Sequence, residues 1–185
     1  MGTIKTTNIE PIADNGTVTL GSSGDQFTLA TGAKSSFLYP AFEAQLSGTQ
    51  NITDGTTTKV QLDTENFDTD NCYDNSTNYR FTPNVAGKYF VYNRVYVDTS
   101  GSGDCRLVIG YVYKNGTKIV ESVLNFHSTA NGEGGSVTGT IVVDMNGSTD
   151  YLETFGYGDS VSGNNLQLLG GTDNRNIFGA YRIGS

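Results

Sequence analysis

The chain has 185 residues, a formal net charge of −8, 24 glycines and no tryptophan. Such an acidic chain lacks the basic surface that nucleic acids and anionic membranes require, so we expect neither nucleic-acid binding nor membrane insertion. No long window shows helical periodicity, and the frequent Gly, Thr, Ser and Asn are typical of turns between strands, which predicts an all-β fold.

Residues 1–36 differ in composition from the rest of the chain. Two short alternating runs, residues 17–20 and 26–29, are separated by the turn-forming segment 21–25. Runs this short bury too little to be stable alone, so we expect an extended segment whose apolar side chains contact another surface. This interpretation divides the chain into an anchor segment, residues 1–36, and a head domain, residues 37–185. The candidate anchor residues are Ile4, Ile9, Val18, Leu20, Phe27 and Leu29.

From residue 37 onward the sequence predicts about ten strands with turns every 8–14 residues, a density typical of jelly rolls and β-sandwiches. The predicted strands are residues 42–46, 59–62, 79–82, 88–97, 106–113, 118–126, 137–145, 151–157, 166–169 and 176–183. Asn115-Gly116 predicts a two-residue hairpin turn of the primed type. The course of residues 145–170 is left open.

The segment 88–97 has apolar side chains on both of its faces. Tyr89, Val91, Val95 and Val97 alternate with a second apolar set, which consists of Phe90, Tyr92 and Tyr96. A sandwich strand normally buries one face, so the second face predicts contact with another copy of the chain.

Three short motifs resemble the globular complement one-q and tumour-necrosis-factor family. Phe81, Thr82, Gly87 and Tyr89 match its central pattern, although Pro83 stands one place early. Residues 40–44 resemble the first element of the family, and residues 178–180 resemble its last element. The resemblance implies a trimer of jelly rolls. It also implies that Phe178 and Ala180 point inward, and that the trimer interface contains Phe90, Tyr92, Ile177, Tyr181 and Ile183.

The segment 16–25 resembles stretches near the start of bacteriophage fibre and virion proteins. The implied function is a structural virion protein, assembled in the host cytoplasm as a homotrimeric capsid decoration or head-fibre protein. Its N-terminus would bind the major capsid protein or another virion protein. One alternative is a tail-fibre tip that recognises a host glycan or protein through the glycine-rich loops 99–104, 128–135 and 170–175. A second alternative is a non-viral secreted module that binds carbohydrate or protein.

The sequence offers no catalytic constellation, so we expect neither an enzyme nor a cofactor or metal requirement. His127 is the only histidine and lies at the edge of a polar loop. The acids at 68, 70 and 74 are expected to cap turns, with calcium binding as an alternative that the spacing leaves open. Cys72 and Cys105 are expected to be free thiols, although a disulfide between them also remains open.

Overall fold

The computed structural model describes residues 39–126, 131–164, 166–171 and 173–184. The candidate anchor residues Ile4, Ile9, Val18, Leu20, Phe27 and Leu29 lie outside this part of the chain, as does His127. The division into residues 1–36 and 37–185 therefore stays a prediction.

The described residues form thirteen strands and no helix, which confirms the all-β class. No helix long and apolar enough to span a membrane occurs in this part of the chain. The strands are β1 (Ala41–Gln45), β2 (Gln50–Ile52), β3 (Thr58–Lys59), β4 (Thr64–Asp68), β5 (Tyr73–Asp74), β6 (Arg80–Phe81), β7 (Ala86–Asp98), β8 (Cys105–Lys114), β9 (Thr117–Asn125), β10 (Gly134–Asn146), β11 (Leu152–Ser160), β12 (Leu166–Leu168) and β13 (Ile177–Gly184).

Two antiparallel sheets divide these strands between them. The first sheet has seven strands in the order β2-β12-β7-β13-β1-β4, with β10 paired to the other edge of β7. The second sheet has six strands in the order β5-β6-β11-β8-β9, with β3 paired to β11. Strand β7 is therefore the centre of the first sheet, and its full length is paired with β10.

The hairpin between β8 and β9 has the predicted turn. Asn115 and Gly116 have φ values of 51° and 76°, and the residues that flank them, Lys114 and Thr117, are paired. Positive φ at both central positions is the condition for a primed turn, whose twist suits an antiparallel hairpin. Residues 145–170, left open by the sequence, pass from β10 to β11 in the second sheet and then return to the first sheet as β12.

The short strands differ most from the sequence-based expectation. Strand β4 is not among the predicted strands, and it forms because its backbone pairs with the edge of β1. Charged side chains are tolerated there because an edge strand keeps them near water. The predicted strand 59–62 ends at Lys59, and Val60 and Leu62 instead enter the core from a connecting segment.

An aromatic cluster fills one end of the core. The Phe42 ring stacks on the rings of Tyr73 and Phe81, with centroid distances of 4.7 Å and 4.4 Å, and meets Phe178 edge-on at 5.2 Å. Tyr89 adds an edge contact to Phe81. These rings come from both sheets, so the cluster joins the two layers through dense apolar packing.

A buried hydrogen-bond network crosses the middle of the sandwich. The Asn93 side chain on β7 is 1% exposed and donates from Nδ2 to the Tyr111 carbonyl at 3.0 Å and to Thr154 Oγ1 at 2.8 Å. Its Oδ1 accepts the Gly139 N–H at 3.0 Å. Both ends of the amide are satisfied, as a buried polar group requires, and the bonds link β7 and β10 to β8 and β11.

Both cysteines are buried free thiols. Burial raises the pKa of the Cys105 thiol to about 11, and it also raises the pKa of Cys72. Because the thiolate is the reactive form, neither side chain is a good nucleophile in the folded protein.

The aromatic cluster generates a stability prediction. Phe42→Ala removes a ring that is fully buried among three others, so we expect the free energy of unfolding to fall by about 3–5 kcal/mol. The measurement is chemical denaturation at one fixed protein concentration. Val161→Ala is the control because that side chain is 54% exposed, and a loss as large as that of Phe42→Ala would contradict this packing.

The buried thiols generate a second prediction. We expect Ellman's reagent to react slowly with the native protein and to release two equivalents of thiolate per chain after denaturation. Complete reaction of the native protein within the mixing time would contradict the burial of the thiols. An absence of reaction after denaturation without reductant would instead demonstrate a disulfide.

Candidate functional site

The outer face of the first sheet carries aligned rows of apolar side chains, and it is the candidate assembly face. Phe90 on β7 pairs with Val142 on one side and with Tyr181 on the other. In the next row, Tyr92 pairs with Thr140 and Gly179, and that row continues through Glu43 to Phe67. Paired residues point to the same side of a sheet, so these rows form one continuous surface.

The rings on the assembly face contact one another directly. The Phe90 centroid lies 5.4 Å from that of Tyr181 and 6.3 Å from that of Tyr92. The Tyr92 ring covers Gly179, where a Cβ atom would come within 2.3 Å of the ring. A glycine is therefore required at this position for the ring to lie across the neighbouring strand.

Tyr92 also has a polar anchor on this face. Its hydroxyl donates to Glu43 Oε2 at 2.6 Å, while Glu43 Oε1 accepts from Asn66 Nδ2 at 2.8 Å. Burial, together with the hydrogen bond to this carboxylate, raises the pKa of Tyr92 above its usual value. The ring is thus fixed at both its face and its hydroxyl.

The five residues that the sequence predicted for the interface lie on this single face. Phe90, Tyr92 and Ile177 are half-buried, while Tyr181 and Ile183 are 38% and 44% exposed. As expected, Phe178 and Ala180 are buried on the opposite side of β13. The structure brings the five together, and their role as trimer contacts stays a prediction.

Exposed apolar area is concentrated on this face. Seven large hydrophobic side chains are exposed in the described part of the chain, and four of them, Phe67, Val142, Tyr181 and Ile183, lie here. Phe67 and Val142 were not identified from the sequence. The sequence contains one indication that β10 also has an apolar outer face: Ile141, Val142 and Val143 are three consecutive apolar residues, so both faces of the strand are apolar at this point.

The outer face of the second sheet is also aromatic, and two of its rings are covered by lysines. Tyr111 is only 8% exposed, and the Lys118 ammonium lies 5.3 Å from the centre of its ring. The Lys59 ammonium lies over Phe155 at 5.7 Å and pairs with Glu153 at 2.5 Å. These cation–π contacts cover the faces of the Tyr111 and Phe155 rings within one chain. Among the large hydrophobic side chains of this outer face in the described part of the chain, Val123 is exposed.

The acids at 68 and 74 cap turns in this structure, as the sequence predicted. Asp68 accepts the Tyr73 N–H at 2.8 Å, and Asp74 accepts the N–H groups of Ser76, Thr77 and Asn78. The Thr77 bond is the main cause of a lowered pKa at Asp74. Within the described ranges, no group of three or more His, Cys, Asp or Glu side chains is placed to hold a metal ion.

Comparison with known proteins identifies the fold and no closer relationship. No protein-family model and no curated protein matches this sequence. Among solved structures, the chain is similar to Eiger TNF from S. frugiperda, with a TM-score of 0.56, 10% identity, and coverage of 78% of this chain and 91% of that one. It is also similar to murine APRIL at pH 5.0, with a TM-score of 0.54, 11% identity, and coverage of 77% and 99%. The described residues therefore have a TNF-like jelly-roll fold.

Proposed function

We propose that this protein is a homotrimeric, non-enzymatic structural protein of a bacteriophage virion. In this proposal the jelly roll is the outward head of a capsid decoration or head-fibre protein, and residues 1–36 bind the particle. The assembly face is the observation that carries the proposal, because it leaves apolar area exposed that the described residues of one chain do not cover.

The homotrimer is supported by the composition of the assembly face. Aromatic and aliphatic side chains occupy neighbouring positions on β7, β10 and β13, while on the outer face of the second sheet lysines lie over the rings of Tyr111 and Phe155. Burial of apolar surface contributes about 25 cal/mol per Å², so contiguous rings are the natural contact between copies. The threefold symmetry of the proposed assembly comes from the resemblance of the sequence to the complement one-q and tumour-necrosis-factor family.

The structural role is supported by the state of the ionisable groups. The acids that could have formed a catalytic or metal site bond to backbone N–H groups, and the thiols are buried. The virion location is supported by the resemblance of residues 16–25 to segments of phage fibre and virion proteins.

Assembly is tested by a matched pair of substitutions. Three copies of the 19.8 kDa chain form a particle of about 59 kDa, which light scattering should find for the wild type. Val142 on the assembly face and Val123 on the second sheet are 50% and 52% exposed. Val142→Asp should weaken association by at least about 2 kcal/mol per subunit, because it places a carboxylate in an apolar contact next to Asp144, which already occupies the nearby Lys88. Val123→Asp should leave the trimer intact.

Tyr181→Asp extends this test to a residue that the sequence itself predicted for the interface, and we expect it to have the same effect as Val142→Asp. A wild-type protein that is a monodisperse monomer would refute the proposal. Dissociation by Val123→Asp alone would move the interface to the second sheet.

The anchor is tested by deletion of residues 1–36. We expect the remaining head to fold and to form a trimer, but not to bind purified particles, because the apolar residues of the proposed anchor are lost. Sedimentation with particles that lack this protein measures attachment, with the full chain as the control. Normal attachment of the truncated head would show that the jelly roll itself makes the contact.

A further inference from the structure

We propose that Arg94, Tyr96, Ser136 and Arg175 form a binding site for an oxyanion, the carboxylate or phosphate group of a ligand. These side chains and Asp173 line a concavity of about 320 Å³ at the end of the assembly face where β13 begins. The proposed function assigns nothing to this site, and all of its residues come from one chain, so no second copy is needed to complete it.

Arg94 provides the central donor. It is half-buried on β7, between Thr138 and Ile177, which carry no charge. Its Nε donates to the Arg175 carbonyl at 3.3 Å, which leaves four of the five guanidinium N–H donors. In the part of the chain that the structure describes, no carboxylate forms an ion pair with Arg94. A half-buried cation without a counter-charge favours an anion beside it.

Arg175 is held in place next to this donor. Its guanidinium lies 5.3 Å from the centre of the Tyr96 ring, and it pairs with Asp173 at 3.2 Å. The Tyr96 hydroxyl donates to Asp98 at 3.3 Å, which fixes the ring. The Asp173 side chain is 68% exposed, so water screens its charge and the ion pair only partly neutralises Arg175.

The chemistry of the donors selects the class of ligand. The two guanidinium groups have two carboxylates near them, Asp173 beside Arg175 and Asp98 beside Tyr96, so the preference for an anion rests on the unused donors of Arg94 and not on the net charge of the site. Guanidinium N–H pairs match the two oxygens of a carboxylate or phosphate, and the exposed Ser136 supplies a hydroxyl donor at the rim. A neutral sugar would leave Arg94 without a counter-charge.

Calorimetric titration of the full chain with three probes tests the site. The probes are inorganic phosphate, glucuronate and neutral glucose, at an ionic strength of about 20 mM, where screening is weaker than at physiological salt. We expect phosphate, glucuronate or both to bind with one site per chain, and glucose not to bind. Binding of phosphate alone identifies a phosphate ligand, and binding of glucuronate alone identifies an acidic sugar. Binding of neither anion overturns the proposal.

Single substitutions then locate the binding. Arg94→Gln and Arg175→Gln should each raise the Kd of the bound probe at least about tenfold. Arg106→Gln is the matched control, because Arg106 lies on the second sheet and is already paired with Asp159 at 2.6 Å, and it should change the Kd less than about twofold. An equal loss in all three variants would show nonspecific attraction and overturn the site.

A conservative variant keeps the test independent of folding. If Arg94→Gln does not fold, as judged by circular dichroism, Arg94→Lys retains the charge but loses the planar fork. The site requires that this variant bind the probe more weakly than the wild type while keeping the same mass in light scattering. Unchanged affinity in a folded Arg94→Lys would overturn the assignment of Arg94.

Discussion

Strand β7 has two apolar faces, and a two-layer sandwich can bury only one of them. Its inner side chains, Tyr89, Val91, Val95 and Val97, are fully buried between the sheets. This burial fixes the register of the strand, because a shift by one residue would exchange the two faces. Phe90 and Tyr92 must then point outward, where the described part of the chain provides no covering layer. These outward rings are the physical basis of the proposed self-association.

The Asn93 network strengthens this constraint from inside. A buried amide in the middle of an apolar strand is costly unless every donor and acceptor is paired, and all of its bonds go to strands of the sandwich. Any slip of β7 against β10 or β8 would break several of these bonds together. The network thus keeps the central strand in place, and with it the aligned rows on the outer face. The register of β7 thus determines both the buried hydrogen bonds of Asn93 and the rows of apolar side chains on the outer face.

The sequence predicted those parts of the fold that have local causes. Alternation over ten residues was sufficient for β7, and the pair Asn115-Gly116 was sufficient for the hairpin because both residues accept positive φ. The short strands β2, β4 and β5 were not predicted, because pairing with other strands creates them and their own residues have little preference.

The assembly face likewise contains residues that the sequence predicted and residues that only the fold brings together. Its five predicted residues lie on β7 and β13, whose apolar alternation is visible in sequence, and the resemblance supplied their outward direction. Phe67 and Val142 join them only through the register of β4 against β1 and of β10 against β7, which the sequence does not reveal. Arg94 and Arg175 are 81 residues apart, so their proximity is likewise a product of the fold.

Polar groups on the assembly face are distributed unequally, and this distribution limits how the face can be covered. In the row of Tyr92, Glu43 already accepts hydrogen bonds at both oxygens. In the next row, Arg94 retains unused donors, and Gln45 Oε1 is buried without a described hydrogen-bond partner. Apolar contact between copies therefore suits the row of Phe90, whereas the row of Tyr92 also carries the Thr140 hydroxyl and the Glu43 carboxylate. The row of Arg94 and Gln45 requires water, a ligand or polar groups of another copy, because a dry contact there would leave both side chains unsatisfied.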